Sequence, residues 1–183
     1  EDISPNVINA LIATEDVRFE KHSGIDGKRL IGAIVKGGRD GGASTITQQL
    51  AKLLFHKKPK NKFLRLIQKV KEWVIAIQLE RNYTKKEILT MYLNQADFGH
   101  NIYGINSASK IYFDKLPKDL TVPEAALLVG LLKAPTKYSP VTNFKKKTPD
   151  VTRNRRNTVL NQMAKYGKLS QAECDKFKQE PVI

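Results

Sequence analysis

The sequence predicts an all-α, mostly helical single domain. Apolar residues recur at helical rather than alternating spacing along most of the chain. Capping boxes and prolines in the first helical turn punctuate it. Its 183 residues, 40% hydrophobic and 27% charged, suffice for one buried core and are too apolar for a disordered segment. A single cysteine, Cys174, excludes a disulfide framework and a multi-cysteine metal cluster. The longest apolar run, Ala125–Leu132, has eight residues, far below the roughly 20 of a membrane-spanning helix. There is no initiator Met and no signal-like start, so the chain reads as a soluble domain taken from a longer protein.

Ser4-Pro5 opens the first helix, with Ile8, Leu11, Ile12 and Glu15 on one face. Residues 28–36 form a short helix ending at Gly37-Gly38, and Gly41 and Gly42 extend a Gly-rich segment expected to be mobile. Ser44 to Phe55 reads as a helix with Ile46, Leu50, Leu53 and Leu54 inward, and Ser44 or Thr45 as its cap. Pro59 interrupts a cationic stretch from His56 to Lys62. The clearest helix runs from Phe63 to about Arg81, with Phe63, Leu66, Ile67, Val70, Trp73, Val74 and Ile77 as its buried stripe. Thr84 with Glu87, Thr121 with Glu124 and Ser170 with Glu173 are capping boxes for three later helices. The second of these precedes Ala125–Leu132, apolar all round and so central to the core, which Pro135 stops.

The formal charge of +14, from 32 Lys and Arg against 18 Asp and Glu, implies an anionic partner. Residues 36–86 hold thirteen Lys or Arg against only Asp40, Glu72 and Glu80, and a second basic knot runs from Lys145 to Arg156. Against this background two carboxylates stand out. Glu15 lies on the apolar face of its helix, where an ionisable group is costly unless paired or functional, and partial burial suits a general acid or base. The plainer reading is an edge-of-core Glu that snorkels to solvent or pairs with Arg18. Glu72 is flanked by Arg65, Gln68 and Lys69 on a face opposite the apolar stripe, bordering solvent or a cleft. Its plainer reading is a surface ion pair with Lys69, worth a few tenths of a kcal/mol. Cations beside a carboxylate can also hold a pyrophosphate. Gly42 to Leu50 feeds a glycine loop into a helix start dense in hydroxyls and amides, a setting that favours anions. Two consecutive glutamines there, Gln48 and Gln49, exceed what capping needs and suit sugar or phosphate.

With Glu15–Gly24, Gly42–Lys52, Lys69–Glu80, Lys86–Asn94 and Arg155–Met163 in this order, the chain resembles the peptidoglycan glycosyltransferases. These are the transglycosylase domains (glycosyltransferase family 51) of bifunctional penicillin-binding proteins and their monofunctional relatives. Two positions depart from the family pattern. Leu53 replaces the usual Asn after Gln-Gln-Leu-Ala-Lys, and Thr90 replaces a frequent Glu before Tyr-Leu-Asn. Both are expected to affect local packing rather than the reaction.

The resemblance implies a lysozyme-like, two-lobed helical fold and an enzyme that polymerises lipid II onto a growing glycan strand with inversion. It implies Glu15 as the base, and Glu72 across the cleft beside the donor diphosphate. Lys69 would neutralise the leaving group, assisted by Arg65, Lys71 or a divalent cation (Mg or Mn); no other cofactor is implied. Ser44, Thr45, Gln48, Gln49 and Lys52 would line the donor site, with Asp16 orienting the network around Glu15 and His22 a member of it. Arg155, Arg156 and Asn157 would buttress the site or contact ligand. The basic segment, with apolar residues from about Phe55 to Leu66, would meet an anionic membrane at the outer face of the bacterial inner membrane, and a transpeptidase domain could follow in the parent chain. Reversing Lys57, Lys58, Lys60 and Lys62 to Glu would then weaken liposome binding.

Two rivals remain at this level: a lysozyme-like glycan hydrolase, and a basic helical nucleic-acid binder. The first has no use for Lys69 beside Glu72. Against the second, Phe55, Phe63 and Trp73 sit at core rather than base-stacking positions. Ser107-Ala108-Ser109-Lys110 matches the Ser-x-x-Lys of penicillin-binding transpeptidases, but Lys147-Thr148 is followed by Pro149, so the match is fortuitous. His22, His56 and His100 are too scattered for a zinc site, and no metal ligands are assigned.

Overall fold

A computed structural model describes residues 2–35, 44–55 and 61–182. The Gly-rich segment 37–43 and the cationic residues His56 to Lys60 lie outside them. Among the described residues the chain is helical, with one isolated bridge between Asp97 and Tyr103. It divides into two compact units, Glu1–Val17 with Ala96–Ile183, and Arg18–Gln95.

The first unit is built on α1 (Pro5–Glu15), α6 (Ile105–Phe113), α7 (Val122–Leu131), α8 (Pro135–Tyr138), α9 (Pro140–Lys145), α10 (Pro149–Lys165) and α11 (Gln171–Gln179). The all-apolar α7 lies at its centre, as its sequence requires, packed on α1, α10, α6 and α11. Leu11, Leu127, Leu128, Val159, Leu160 and Met163 form the core around it. Ser4 caps α1 and also ties it down: its amide donates to the Pro117 carbonyl at 3.1 Å and its hydroxyl to the Leu120 carbonyl at 3.1 Å. The expected capping boxes Thr121–Glu124 and Ser170–Glu173 are both formed. Pro135 opens α8 as its first residue, past the end of α7.

In the second unit, α2 (Gly27–Val35) precedes a trio of mutually packed helices: α3 (Ile46–Leu54), α4 (Lys62–Asn82) and α5 (Lys85–Gln95). Phe19, Ile46, Leu50, Ala76, Leu79, Ile88 and Leu93 fill their core. Gly24 is required where it stands. Its φ is +92°, and a Cβ there would come within 2.8 Å of the Ala76 backbone, so the loop lies directly on α4. Thr84 and Glu87 bond reciprocally at the start of α5, as expected.

The orientation of α4 differs from the reading of its periodicity. The stripe expected inside points outward: Phe63 is 70% exposed and Leu66 63%, and Ile67, Val70 and Val74 are exposed too. The covered face is the one carrying Glu72, Ala76 and Leu79. Small Ala76 admits the Gly24 loop, and Lys69 and Glu80 bond to Ser44 and Thr47 at the start of α3. Polar contacts thus fix which side of α4 meets α3, and periodicity reveals only where the apolar side is. Leu53 and Leu54, expected inward on α3, are exposed as well, as is Phe55 at 64%. Leu53 therefore alters surface rather than packing, while Thr90 bonds the Lys86 carbonyl of its own helix at 2.9 Å. Phe55 and Phe63 do not occupy core positions, which removes that part of the case against a nucleic-acid binder.

Candidate active site

Glu15 is the last residue of α1, half-buried, and the backbone N–H of Asp16 closes the helix on the Ile12 carbonyl at 3.1 Å. Asp16 itself is buried. On α10, Arg155 is buried with its Nε donating at 3.0 Å to the carbonyl of Gly130 in the last turn of α7, where a cation also complements the helix dipole. Its guanidinium carbon stands 5.4 Å from the centre of the Tyr138 ring. Burial pulls the Arg155 ionisation below its usual range, and the nearby Glu15 carboxylate acts the other way. Glu15 and Arg155 are therefore electrostatically coupled within this unit.

The neighbouring arginine has a different task. Arg156 is almost wholly buried and donates to the carbonyls of Lys178, Glu180 and Pro181 at 2.8–3.1 Å. Asn157 accepts from Arg156 Nε at 3.1 Å, so its amide oxygen is engaged in that clamp on the residues after α11.

In the second unit, Lys69 is the pivot. Its ammonium donates to Ser44 Oγ at 2.9 Å and to Glu72 Oε2 at 3.0 Å, while Gln68 Nε2 approaches the other Glu72 oxygen at 3.4 Å. Glu72 is only 8% exposed, so of the two positions expected, bordering solvent or bordering a cleft, open solvent is ruled out: this is a buried carboxylate with a half-buried cation on it. An ammonium, a hydroxyl and a carboxylate thus meet at the N-terminal end of α3, where the positive end of a helix dipole also favours anions.

The glutamine reading changes too. Thr45, not Ser44, caps α3, and Gln48 completes the box: its Oε1 accepts from the Thr45 amide at 3.3 Å and its own amide donates to Thr45 Oγ1 at 3.1 Å. Gln48 is thus used in capping, contrary to the expectation that the glutamines exceed its needs. The Thr45 hydroxyl donates to the Gly24 carbonyl at 2.7 Å, holding the loop. Gln49 is half-buried and accepts from the Tyr92 hydroxyl at 3.0 Å. Lys52, Arg65 and Lys71 are exposed. Arg18 pairs with Asp26 at 2.9 Å. His22 packs edge-on against Phe19, with ring centres 6.0 Å apart.

Two residues of this unit escaped the sequence reading. Lys85 and Glu80 pair at 2.8 Å, with Thr47 and the His22 carbonyl bonded to the same charges. The signal was absent because their separation of five falls across a helix end rather than on one helical face. Ser107 lies exposed on α6 and Lys110 pairs with Asp114, in keeping with a fortuitous Ser-x-x-Lys. Among the described residues, no group of three or more His, Cys, Asp or Glu is placed to hold a metal ion.

A family model described as transglycosylase matches residues 1–164. Penicillin-binding protein 1F of Bacillus subtilis is 48% identical over 94% of this chain and 24% of its own length. Penicillin-binding protein 2a of Streptococcus pneumoniae is 44% identical over 91% of this chain and 22% of its own, and penicillin-binding protein 1A of Vibrio cholerae 40% over 100% and 22%. A crystal structure of penicillin-binding protein 1A from Haemophilus influenzae matches 75% of this chain and 16% of that one, with TM-score 0.45 and 24% identity. The chain thus spans about a quarter of the length of the relatives it matches. The chain belongs to the transglycosylase family, as a domain of the kind carried by class A penicillin-binding proteins.

Proposed function

We propose that the chain is an inverting glycosyltransferase that polymerises lipid II into β-1,4-linked peptidoglycan strands, releasing undecaprenyl pyrophosphate. The acceptor's 4-hydroxyl attacks the anomeric carbon of the donor, the α-linked pyrophosphate departs, and the new bond is β. A single displacement needs a base on the attacking hydroxyl and charge stabilisation on the leaving group. Glu15 takes the first role, half-buried at the end of α1. Lys69 takes the second, with Glu72 holding its ammonium and Ser44 offering a hydroxyl beside it.

The observation that carries the reading is the Lys69 ammonium bonded at once to Ser44 and Glu72. A departing diphosphate needs such a cation, and a glycan hydrolase releases no anion of that charge. Gln49, Lys52, Arg65, Lys71 and Arg155 are assigned to substrate as secondary contacts, with Asp16, Thr45, Gln48 and Asn157 supporting them from buried or bonded positions. A Mg or Mn ion, if one takes part, would be held chiefly by the donor pyrophosphate, with the Glu72 carboxylate already bonded to the Lys69 ammonium. No step is assigned to a metal.

The exposed apolar face of α3 and α4, with Lys52, Arg65 and Lys71 around it, is assigned to an anionic bilayer. We assign the domain to the outer face of the bacterial inner membrane, and the penicillin-binding relatives support a transpeptidase domain in the parent chain. Lipid II and polymeric glycan, offered separately, test the reaction: chain growth on the first supports it, and fragments from the second would make the domain a hydrolase. A labelled-DNA titration at rising salt tests the nucleic-acid rival, which salt-sensitive binding would revive.

A further inference from the structure

Lys85, the first residue of α5, bonds to more segments than its surface-like sequence context suggests. Its ammonium donates to the His22 carbonyl at 2.6 Å and to the Glu80 oxygens at 2.8 and 2.9 Å, and stands 4.3 Å from the centre of the Phe19 ring. Glu80, whose side chain is 5% exposed, also accepts from the Thr47 hydroxyl at 2.5 Å. Thr47 is fully buried in the first turn of α3. One ion pair therefore joins the turn Phe19–His22, the start of α3 and the C-terminal half of α4. The first two segments carry His22 and the Ser44–Gln49 run, and the same helix α4 carries Lys69 and Glu72 about two to three turns before Glu80.

We propose that Lys85 is a positioning residue for the transfer reaction. It locks the first turn of α3 and the 19–24 loop onto α4, and so keeps the whole Ser44–Gln49 run and His22 in register with Lys69 and Glu72. The activity part of this proposal rests on the function proposed above; the mechanical part does not. A desolvated ion pair is a poor way to gain stability, since apolar packing of similar volume often does as well. What it adds is direction. An ammonium has three donors at fixed angles and here they meet a carbonyl and a carboxylate, while the ring of Phe19 faces the charge. Register matters because displacements of about 1 Å at a reacting group can cost roughly a hundredfold in rate.

The test compares Lys85→Met, Lys85→Arg, the double variant Glu80→Gln/Lys85→Met, and Leu89→Ala. The last removes buried α5 packing without touching the ion pair and serves as the stability control. Hydrogen exchange of 18–24 and 44–50, thermal unfolding, and kcat and KM on lipid II are read for each. In Lys85→Met both segments lose protection together, and kcat falls at least about tenfold while KM moves less than about threefold. Lys85→Arg restores part of kcat. The double variant, freed of an unpaired buried carboxylate, regains melting temperature but not kcat.

Three results would overturn the proposal: kcat of Lys85→Met matching that of Leu89→Ala, full recovery of kcat in the double variant, or exchange in one segment without the other. Should Lys85→Met not fold, Thr47→Val, which removes a single hydroxyl, is read the same way. If the wild type does not extend lipid II, the proposed function fails, and the exchange data alone decide whether Lys85 couples the two segments.

Discussion

Lys69 and Ser44 contribute unequally to the proposed reaction, and kinetics separates them. Lys69→Met removes the only ammonium bonded to Glu72 among the described residues, and leaves that buried carboxylate with the Gln68 amide beside it. The expected loss in kcat is on the order of a hundredfold or more, as for other groups that stabilise a departing charge. Ser44→Ala should cost less than about tenfold, because only a neutral hydroxyl is lost. Rates on lipid II check both, and a Lys69→Met enzyme within about threefold of wild type would remove Lys69 from the leaving-group role. At this scale the sequence was partly legible. Glu15 and Glu72 stood out as acids where acids are costly or rare. Gln48 was misread, since a Gln at the third helical position completes a capping box only if Thr45 is the cap, and Ser44 was equally eligible from sequence. Lys85 was invisible because its carbonyl partner lies 63 positions away.

Element-scale behaviour follows from the loop on α4 and from the caps. Gly24→Ala forces a positive φ on a residue with a Cβ and drives it into the Ala76 backbone. A left-handed alanine costs roughly 1–2 kcal/mol and the overlap a similar amount, so the melting temperature should fall by roughly 5–15 °C. An unchanged melting temperature would mean that the loop does not lie on α4. Glu87 and Glu173 are held below the usual carboxylate range, chiefly by hydrogen bonds from Thr84 and Ser170. Their folded-state ionisation is depressed, so the stabilisation they give is present above the unfolded-state value and is lost as pH falls through the folded one. Thermal unfolding from pH 7 down to pH 3 should show this acid-side loss, and it should shrink in a Glu87→Gln/Glu173→Gln double variant. The caps were readable because they are local, three residues end to end. Which side of α4 is covered was not, because that depends on Ser44 and Thr47 meeting Lys69 and Glu80 over separations of 25 and 33 residues.

For the whole molecule, an excess charge of +14 coexists with an apolar helix face left in water. Each large apolar side chain so exposed forgoes roughly 1.5–3 kcal/mol of burial, a cost that a bilayer would recover. Phe63→Asp/Leu66→Asp/Val70→Asp should therefore keep its helicity by circular dichroism, yet lose at least about tenfold in co-sedimentation with anionic vesicles. Wild-type binding should also weaken with salt. Equal partitioning of variant and wild type would detach this face from the membrane. Helical class and the central place of α7 were plain from periodicity alone, and the apolar stripe was correctly located but wrongly buried, since its cover is not supplied by the described chain. The central claim is that Glu15 removes the proton from the attacking sugar hydroxyl. Polymerisation of lipid II by Glu15→Gln, with folding verified, tests it most directly: a loss of about a thousandfold or more is expected from an amide that cannot accept the proton, and retention of most of the wild-type rate would contradict the account.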